Sequence, residues 1–218
     1  MPPQLLVLGL GPGDDALLTQ QVRDSIASAS DAFGYFPYVA RLQGLEHLQL
    51  HASDNREELE RARNALNLAA QGRKVLMLSS GDPGVFAMAS AVFETLEQAS
   101  PEEHARWQDV DVQVQPGITA MLAAAARLGA PLGHDFCTIN LSDNLKPASI
   151  IERRIRLAAQ ADFAMAFYNP CSRSRPEGFS RALQVLQQEC EPERLICFAR
   201  NVSRPDETLQ VVRLLDAR

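Results

Sequence analysis

The chain has 218 residues, 46% of them apolar and 22% charged, with a formal net charge of −6. That composition is ordinary for a globular protein and leaves room for one large domain or two small ones. No apolar run approaches the length needed to span a bilayer, and an acidic balance argues against nucleic acid, whose phosphates call for basic surface. The charge is uneven, −9 over residues 1–145 and +3 over 146–218. The basic C-terminal part could receive a small polyanion, although a solvated arginine surface accounts for the same numbers.

The N-terminal MPPQLLVLGLGPGDD has no basic region before its apolar run. It reads as a first strand, QLLVLGLG (4–11), and not as a signal peptide, so a cytoplasmic protein is expected. LLTQQVRDSIASAS (17–30) has helical spacing at Leu18, Val22 and Ile26, and DAFGYF (31–36) is a second strand. LEHLQLH (45–51) alternates like a strand, which argues against a helical metal site at His47 and His51. NREELERARNALNLAAQ (55–71) is an amphipathic helix with Gly72 as its C-cap. KVLMLSS (74–80) is a continuous apolar strand, as in a parallel sheet covered on both faces. A helix over 85–98, a strand over 109–115 and an alanine-rich helix over 118–129 follow. The rest alternates in the same way: strands over 136–142, 162–169, 194–201 and 207–214, with helices over 147–160 and 175–190. Strands alternating with helices define an α/β protein built of βαβ units. The Pro116-Gly117 turn is the natural boundary between domains 1–115 and 116–218. Cys137, Cys171, Cys190 and Cys197 form no C-x-x-C pair and read as ordinary thiols.

Five segments carry candidate chemistry. LGLGPGDD (8–15) is a glycine-rich loop after the first strand, but Asp14 stands where a dinucleotide fingerprint needs its third glycine. Asp14 and Asp15 would repel a diphosphate, so this loop suits an uncharged or cationic group. SSGDPGVF (79–86) and QPGITA (115–120) end two further strands in Gly, Pro and small polar residues, again without a lysine or arginine for phosphate. Asp82 and Thr119 could equally cap the helices that follow. The three strand ends together suggest a ligand held largely by backbone groups. AFYNPCSRSRP (166–176) and FARNVSRPDET (198–208) each take a strand into Asn and then a basic loop. There Arg173, Arg175, Arg200 and Arg204 are natural bidentate partners for carboxylates.

In this order the five segments resemble the tetrapyrrole methyltransferases, the S-adenosylmethionine enzymes of corrin and sirohaem synthesis. The similarity runs over nearly the whole chain. FGYFPYV (33–39), SSGDPGVFAMA (79–89), APLGHDFCTINLSD (130–143), FYNPCSRSRP (167–176) and ARNVSRPDE (199–207) are most similar to the branch that methylates precorrin-3B, or its cobalt form, at C17 with ring contraction in cobalamin biosynthesis.

The resemblance implies the class III methyltransferase fold: two α/β domains with S-adenosylmethionine in a cleft between them, and a homodimer. It implies cofactor contacts at Pro12, Ser80, Gly81, Asp82, Val85, Thr119, Ala120, Tyr168, Asn169 and Val202, with Asp14, Tyr35, Tyr38, Ser142 and Asp143 towards the tetrapyrrole side, whose carboxylates the four arginines are expected to bind. Members of the family usually carry one more strand beyond LLDAR, so the C-terminal sheet is expected to lack its last strand. The sulfonium is already activated, and no metal is called for. Asp14, Tyr35 and Asp143 are the candidates for a general acid or base, each with a capping or packing role as the alternative. Another tetrapyrrole C-methyltransferase, a relative that methylates RNA or protein, and a non-catalytic ligand-binding relative are the competing readings.

Overall fold

A computed structural model describes residues 3–144, 146–170 and 176–217. The chain divides into two compact units, one through Ala123 and one from Ala124. The first unit runs β1 (Gln4–Gly9), α1 (Gln20–Ser28), β2 (Asp31–Tyr35), the single turn α2 (Phe36–Val39), β3 (Gln49–Ser53), α3 (Glu58–Ala69), β4 (Lys74–Ser79), α4 (Met88–Glu97), α5 (Pro101–Trp107) and β5 (Asp111–Gln115), then enters α6 (Ala120–Leu128). The second holds β6 (Phe136–Asn140), α7 (Ala148–Gln160), β7 (Ala164–Tyr168), α8 (Gly178–Glu189), β8 (Leu195–Arg200) and β9 (Thr208–Arg213).

The five strands of the first unit form one parallel sheet in the order β3-β2-β4-β1-β5. From β1 the chain moves toward β2 and β3, whereas from β3 onward it moves back through β4 to β5. Right-handed crossovers in opposite directions put their helices on opposite faces of the sheet, and the core shows this. Leu6, Leu8, Leu76 and Leu78 pack with Val22 and Ile26 of α1. The alternate residues Leu5, Val7, Val75 and Met77 pack with Ala62, Leu66, Met88 and Val92 of α3 and α4. Burial on both faces is why the interiors of both strands, Leu5–Leu8 and Val75–Leu78, are continuously apolar. β1 and β4 are neighbours whose chains leave in opposite directions, so the loops after them sit at the switch point of the sheet, where open α/β folds bind ligands.

The sequence pattern places most elements, although β3 lies over Gln49–Ser53 where 45–51 is expected and the turn α2 is not in the sequence reading; two further differences stand out. Helix α4 begins at Met88, three residues later than its periodicity predicts, because residues 80–87 are held in a loop described below. Helix α5 is not in the sequence reading at all. Its sign was present: Ser100 and Glu103 form a capping box around Pro101 at the first helical position, and Trp107 is buried.

In the second unit β6 and β7 pair in parallel, and β8 and β9 form an antiparallel hairpin. Ile151 and Ile155 of α7 and Leu183 and Leu186 of α8 pack with Ile139, Leu141 and Leu214. Arg156 of α7 pairs with Glu189 of α8, which also accepts from Gln160 at 3.0 Å. No helix among the described residues is long and apolar enough to cross a membrane.

At the N-terminal edge of the first sheet, Asp31 is completely buried and accepts hydrogen bonds from Arg73 Nε at 2.6 Å and Ser30 Oγ at 2.7 Å. Its other oxygen lies 3.0 Å from His51 Nε2, and the His51 ring stacks on Phe33. His47 is engaged with the Ile26 carbonyl. Burial alone would push the Asp31 carboxyl up. The hydrogen bonds from His51, Ser30 and Arg73 and the Arg73 charge outweigh it, and the group is held below its ordinary value. A lowered folded-state pKa stabilises the fold above the unfolded value and loses that contribution as pH falls through the folded value. Wild-type stability should therefore decline on acidification below about pH 4. Asp31→Asn should flatten that decline and remove about 1–3 kcal/mol at neutral pH. Urea denaturation across a pH series measures both, and parallel curves for the two proteins would contradict the assignment.

Candidate active site

The glycine loops after β1 and β4 are joined to each other. Gly11 N–H donates to the Gly81 carbonyl at 3.1 Å, and Gly81 N–H donates back to the Gly11 carbonyl at 2.8 Å. This is a short antiparallel bridge across the switch point. Both glycines have positive φ, +65° and +63°, where a side chain is strained. The loop after β5 closes against the same pair. A Cβ on Gly9 would lie 2.6 Å from Gly117 N and Gly81 O, and one on Gly117 would lie closer still to Gly81 O. At Gly81 the added Cβ would face the Thr119 and Ala120 backbone at ordinary contact distance. The sequence identifies Gly81 as a site residue. It does not reveal that Gly9 and Gly117 are needed because three backbones meet there.

Asp82 fixes the third side of this arrangement. Its Oδ1 accepts from Gly84 N–H at 2.8 Å and its Oδ2 from Gly117 N–H at 3.1 Å. It therefore ties the β4 loop to the β5 loop and does not cap α4. Ser79, the last residue of β4, accepts the Met88 N–H at 3.2 Å through its hydroxyl, and Pro83 O accepts the Ala89 N–H. Residues 80–87 are thus closed off at both ends. Behind Met88 lies Arg61, 3% exposed, whose Nη1 is 3.4 Å from Met88 Sδ. Its Nε donates to Ser53 Oγ at 2.7 Å and its Nη2 to the carbonyls of Ser53 and Asp54. Burial pushes the Arg61 pKa down, against the nearby Glu58, Glu57, Tyr38 and Asp54. Ser79, the first residue of SSGDPGVF, and Arg61, which lies in no motif, hold the loop.

The other first-unit candidates surround this floor. Pro12, Ser80 and Val85 are half-buried, Thr119 is buried, and Ala120 is exposed at the start of α6. Asp14 accepts the Ala16 N–H at 2.8 Å, capping a short turn. Asp15 is bound at 2.9 Å by Arg41, which also donates to the Leu10 carbonyl at 2.7 Å. Tyr35 ends β2, and its ring meets Tyr38 edge-on at 5.6 Å. Residues 9–15, 79–87 and 115–120 include three carboxylates and no lysine or arginine.

In the second unit the ends of β6 and β7 bring four candidates together. Asn140 Oδ1 accepts from Ser142 N–H at 2.9 Å and from Asn169 Nδ2 at 3.1 Å, and Tyr168 O accepts the Leu141 N–H. Asp143 is bound by Arg181 at 3.1 Å. Lys146 donates to the Ser142 carbonyl at 3.2 Å; burial pushes its pKa down, Arg154 adds to this and Asp143 opposes it. Lys146 and Arg181 are cations that the motif reading passed over. Both lie outside the quoted strand ends, and only the fold brings Arg181 to Asp143. Val202 is buried in the turn between β8 and β9, with Arg200 and Arg204 exposed around it. Asn169 and Asn201, the asparagines that end two strands, both have positive φ, which Asn tolerates. Arg173 and Arg175 lie outside the described residues.

The first unit is that of a doubly wound α/β protein whose switch-point loops carry no lysine or arginine. The chain belongs to the tetrapyrrole (corrin/porphyrin) methylases, whose family model matches residues 4–217. It is 49% identical over 213 residues to a precorrin-3B C(17)-methyltransferase of Sinorhizobium sp, covering 98% of this chain and 82% of the relative. A crystal structure of the methyltransferase CobJ superposes with a TM-score of 0.93 at 59% identity, covering 99% of this chain and 88% of the other. A uroporphyrin-III C-methyl transferase from Thermus thermophilus, complexed with S-adenosylhomocysteine, shares the fold at 20% identity and a TM-score of 0.72, covering 98% and 84%.

Asp82→Asn keeps the size of the side chain but replaces one acceptor with a donor facing Gly117 N–H. It should lower stability by about 1–3 kcal/mol and accelerate hydrogen exchange at the Gly117 amide. Unchanged exchange at Gly117 would show that Asp82 does not hold the two loops together.

Proposed function

We propose that this protein transfers a methyl group from S-adenosylmethionine to C17 of precorrin-3B, with ring contraction, in cobalamin biosynthesis. The observation that carries the reading is the near full-length identity to the Sinorhizobium enzyme of that name. The site chemistry supports the cofactor. Three loops with no basic side chain, two of them carrying carboxylates, suit a sulfonium and an amino group better than a polyphosphate.

When bound, the cofactor supplies a methyl group on a sulfonium, an electrophile already activated for displacement. The protein's part is orientation and exclusion of water. Pro12, Ser80, Gly81, Asp82, Val85, Thr119 and Ala120 would hold the cofactor, and the family resemblance adds Tyr168, Asn169 and Val202. Because the loop amides already bond to one another, the floor of this site needs little reorganisation when a ligand arrives. Tyr38, Ser142, Arg173, Arg175, Arg200 and Arg204 would receive the tetrapyrrole, the arginines through its carboxylates. Lys146 and Arg181 join that set. Asp14, Tyr35 and Asp143 are the proposed groups for the proton movement that accompanies ring contraction. The enzyme is proposed to be a cytoplasmic homodimer, with a sedimentation mass about twice the 23.9 kDa of the chain.

Incubation with S-adenosylmethionine and precorrin-3B, followed by mass spectrometry, tests the reading. One added methyl group on a ring-contracted product is expected, and the cobalt form run in parallel establishes which substrate is preferred. Methylation of a different tetrapyrrole, or none with either substrate, would overturn it.

A further inference from the structure

Arg127 stands apart from the other arginines paired in the second unit. Arg156 joins two helices, and Arg194 and Arg213 are paired at the end of the hairpin where β8 begins and β9 finishes. Arg127 lies in the last turn of α6 and reaches the other end of that hairpin, the turn between β8 and β9. Its Nε donates to Glu207 Oε2 at 3.3 Å. Among the described residues the guanidinium makes no other hydrogen bond, so both Nη groups are unused. The Arg127 side chain is 54% exposed, whereas that of Glu207 is 23% exposed.

A cation in the last turn of a helix is favourable in itself, because it faces the unpaired carbonyls. An exposed ion pair adds little to stability. Neither fact accounts for how the turn uses its acids. The Glu207 oxygen that Arg127 binds also accepts the Ser203 N–H at 2.5 Å, and Asp206 accepts from Asn201 Nδ2 at 2.6 Å. Asn201 and Ser203 hold positive φ, and the Arg204 and Glu207 amides donate to the carbonyls of Asn201 and Arg204. The two carboxylates thus hold the shape of the turn. Arg200 and Arg204 are exposed on it, and Glu207 brings Arg127 beside them. Three arginines from two elements stand here against two acids already engaged.

The bond at Nε also fixes the guanidinium plane. The edge formed by Nη1 and Nη2 is the part of the fork that remains, and it matches a carboxylate in bidentate geometry. A planar fork already oriented loses less freedom when it binds.

We infer that Arg127 is a substrate-binding residue whose two Nη groups meet a carboxylate of the tetrapyrrole, with Glu207 orienting it. The inference rests on the proposed methyl transfer, whose substrate carries several carboxylates where the cofactor carries one.

The test uses the full-length protein with Arg127→Ala and Arg127→Lys. Precorrin-3B affinity is read by absorbance titration at several salt concentrations, S-adenosylhomocysteine affinity by calorimetry, and the thermal midpoint without ligand. Arg127→Ala should weaken precorrin-3B binding by about threefold to tenfold and make it less sensitive to salt. S-adenosylhomocysteine affinity and the midpoint should stay close to wild type. Arg127→Lys should restore the salt sensitivity and part of the affinity, because it keeps the charge and loses the fork. Wild-type precorrin-3B affinity in Arg127→Ala would overturn the inference. So would a loss that leaves the salt sensitivity intact, or an equal loss for both ligands with a lowered midpoint, since either pattern assigns Arg127 to the packing of the turn. A wild-type protein that binds no precorrin-3B would overturn the methyl-transfer reading and this inference with it.

Discussion

The two reciprocal hydrogen bonds between Gly11 and Gly81 set the geometry on which the rest of the site depends. They join loops that leave adjacent strands for opposite faces of the sheet. In a dinucleotide-binding fold that divergence opens a crevice, and a glycine-rich turn lets a pyrophosphate approach a helix N-terminus. Here the crevice floor is protein. The Gly9 and Gly117 backbones pack on the same bridge, so four glycines from three loops replace what would be a phosphate cradle. A short-range steric fact, the want of a Cβ at Gly9 and Gly117, thus lets the three backbones meet.

The electrostatics follow from that choice. With no phosphate to bind, the loops carry no lysine or arginine, and their carboxylates hold structure. Asp82 receives two backbone amides, Asp14 caps a turn and Asp15 is paired with Arg41. Arg127 apart, the basic side chains that could meet a carboxylate-bearing substrate belong to the C-terminal part of the chain, where the net charge is +3. The charge asymmetry of the sequence and the division of chemical labour in the proposed reaction have the same form.

Much of this was legible before any coordinates. The continuous apolar runs VLML and LLVL announce a sheet covered on both faces, and the three Gly/Pro strand ends stand together at one edge of it. What periodicity cannot show is how loops meet. From its place before a helix Asp82 reads as a cofactor contact or a helix cap, and nothing local shows that its partner Gly117 lies 35 residues away. Ser79 and Arg61 look like an ordinary strand end and an ordinary helix arginine; their roles exist only when β3, β4 and α4 are assembled. The start of α4 is misplaced for the same reason, since helical spacing continues through Val85 and Phe86 while tertiary bonds hold those residues in a loop. Helix α5 is a different case, because its capping box is local and readable from SPEE alone.

The order of the sheet also governs how the protein comes into being. β1 is an inner strand, between β4 and β5, and precedes both partners in the chain. Its partners in register, Lys74 for one neighbour and Asp111 for the other, lie 70 and 107 residues downstream of Gln4. Closing loops of that length carries an entropic cost before any pairing compensates it, and parallel sheets with such distant partners fold slowly. During synthesis an apolar strand with both edges open must wait for the chain to reach β5. Over that interval β1 is the segment most prone to pair with the wrong molecule. Soluble yield in a fast-translating host should therefore be limited at this strand, well before any question of cofactor or substrate arises.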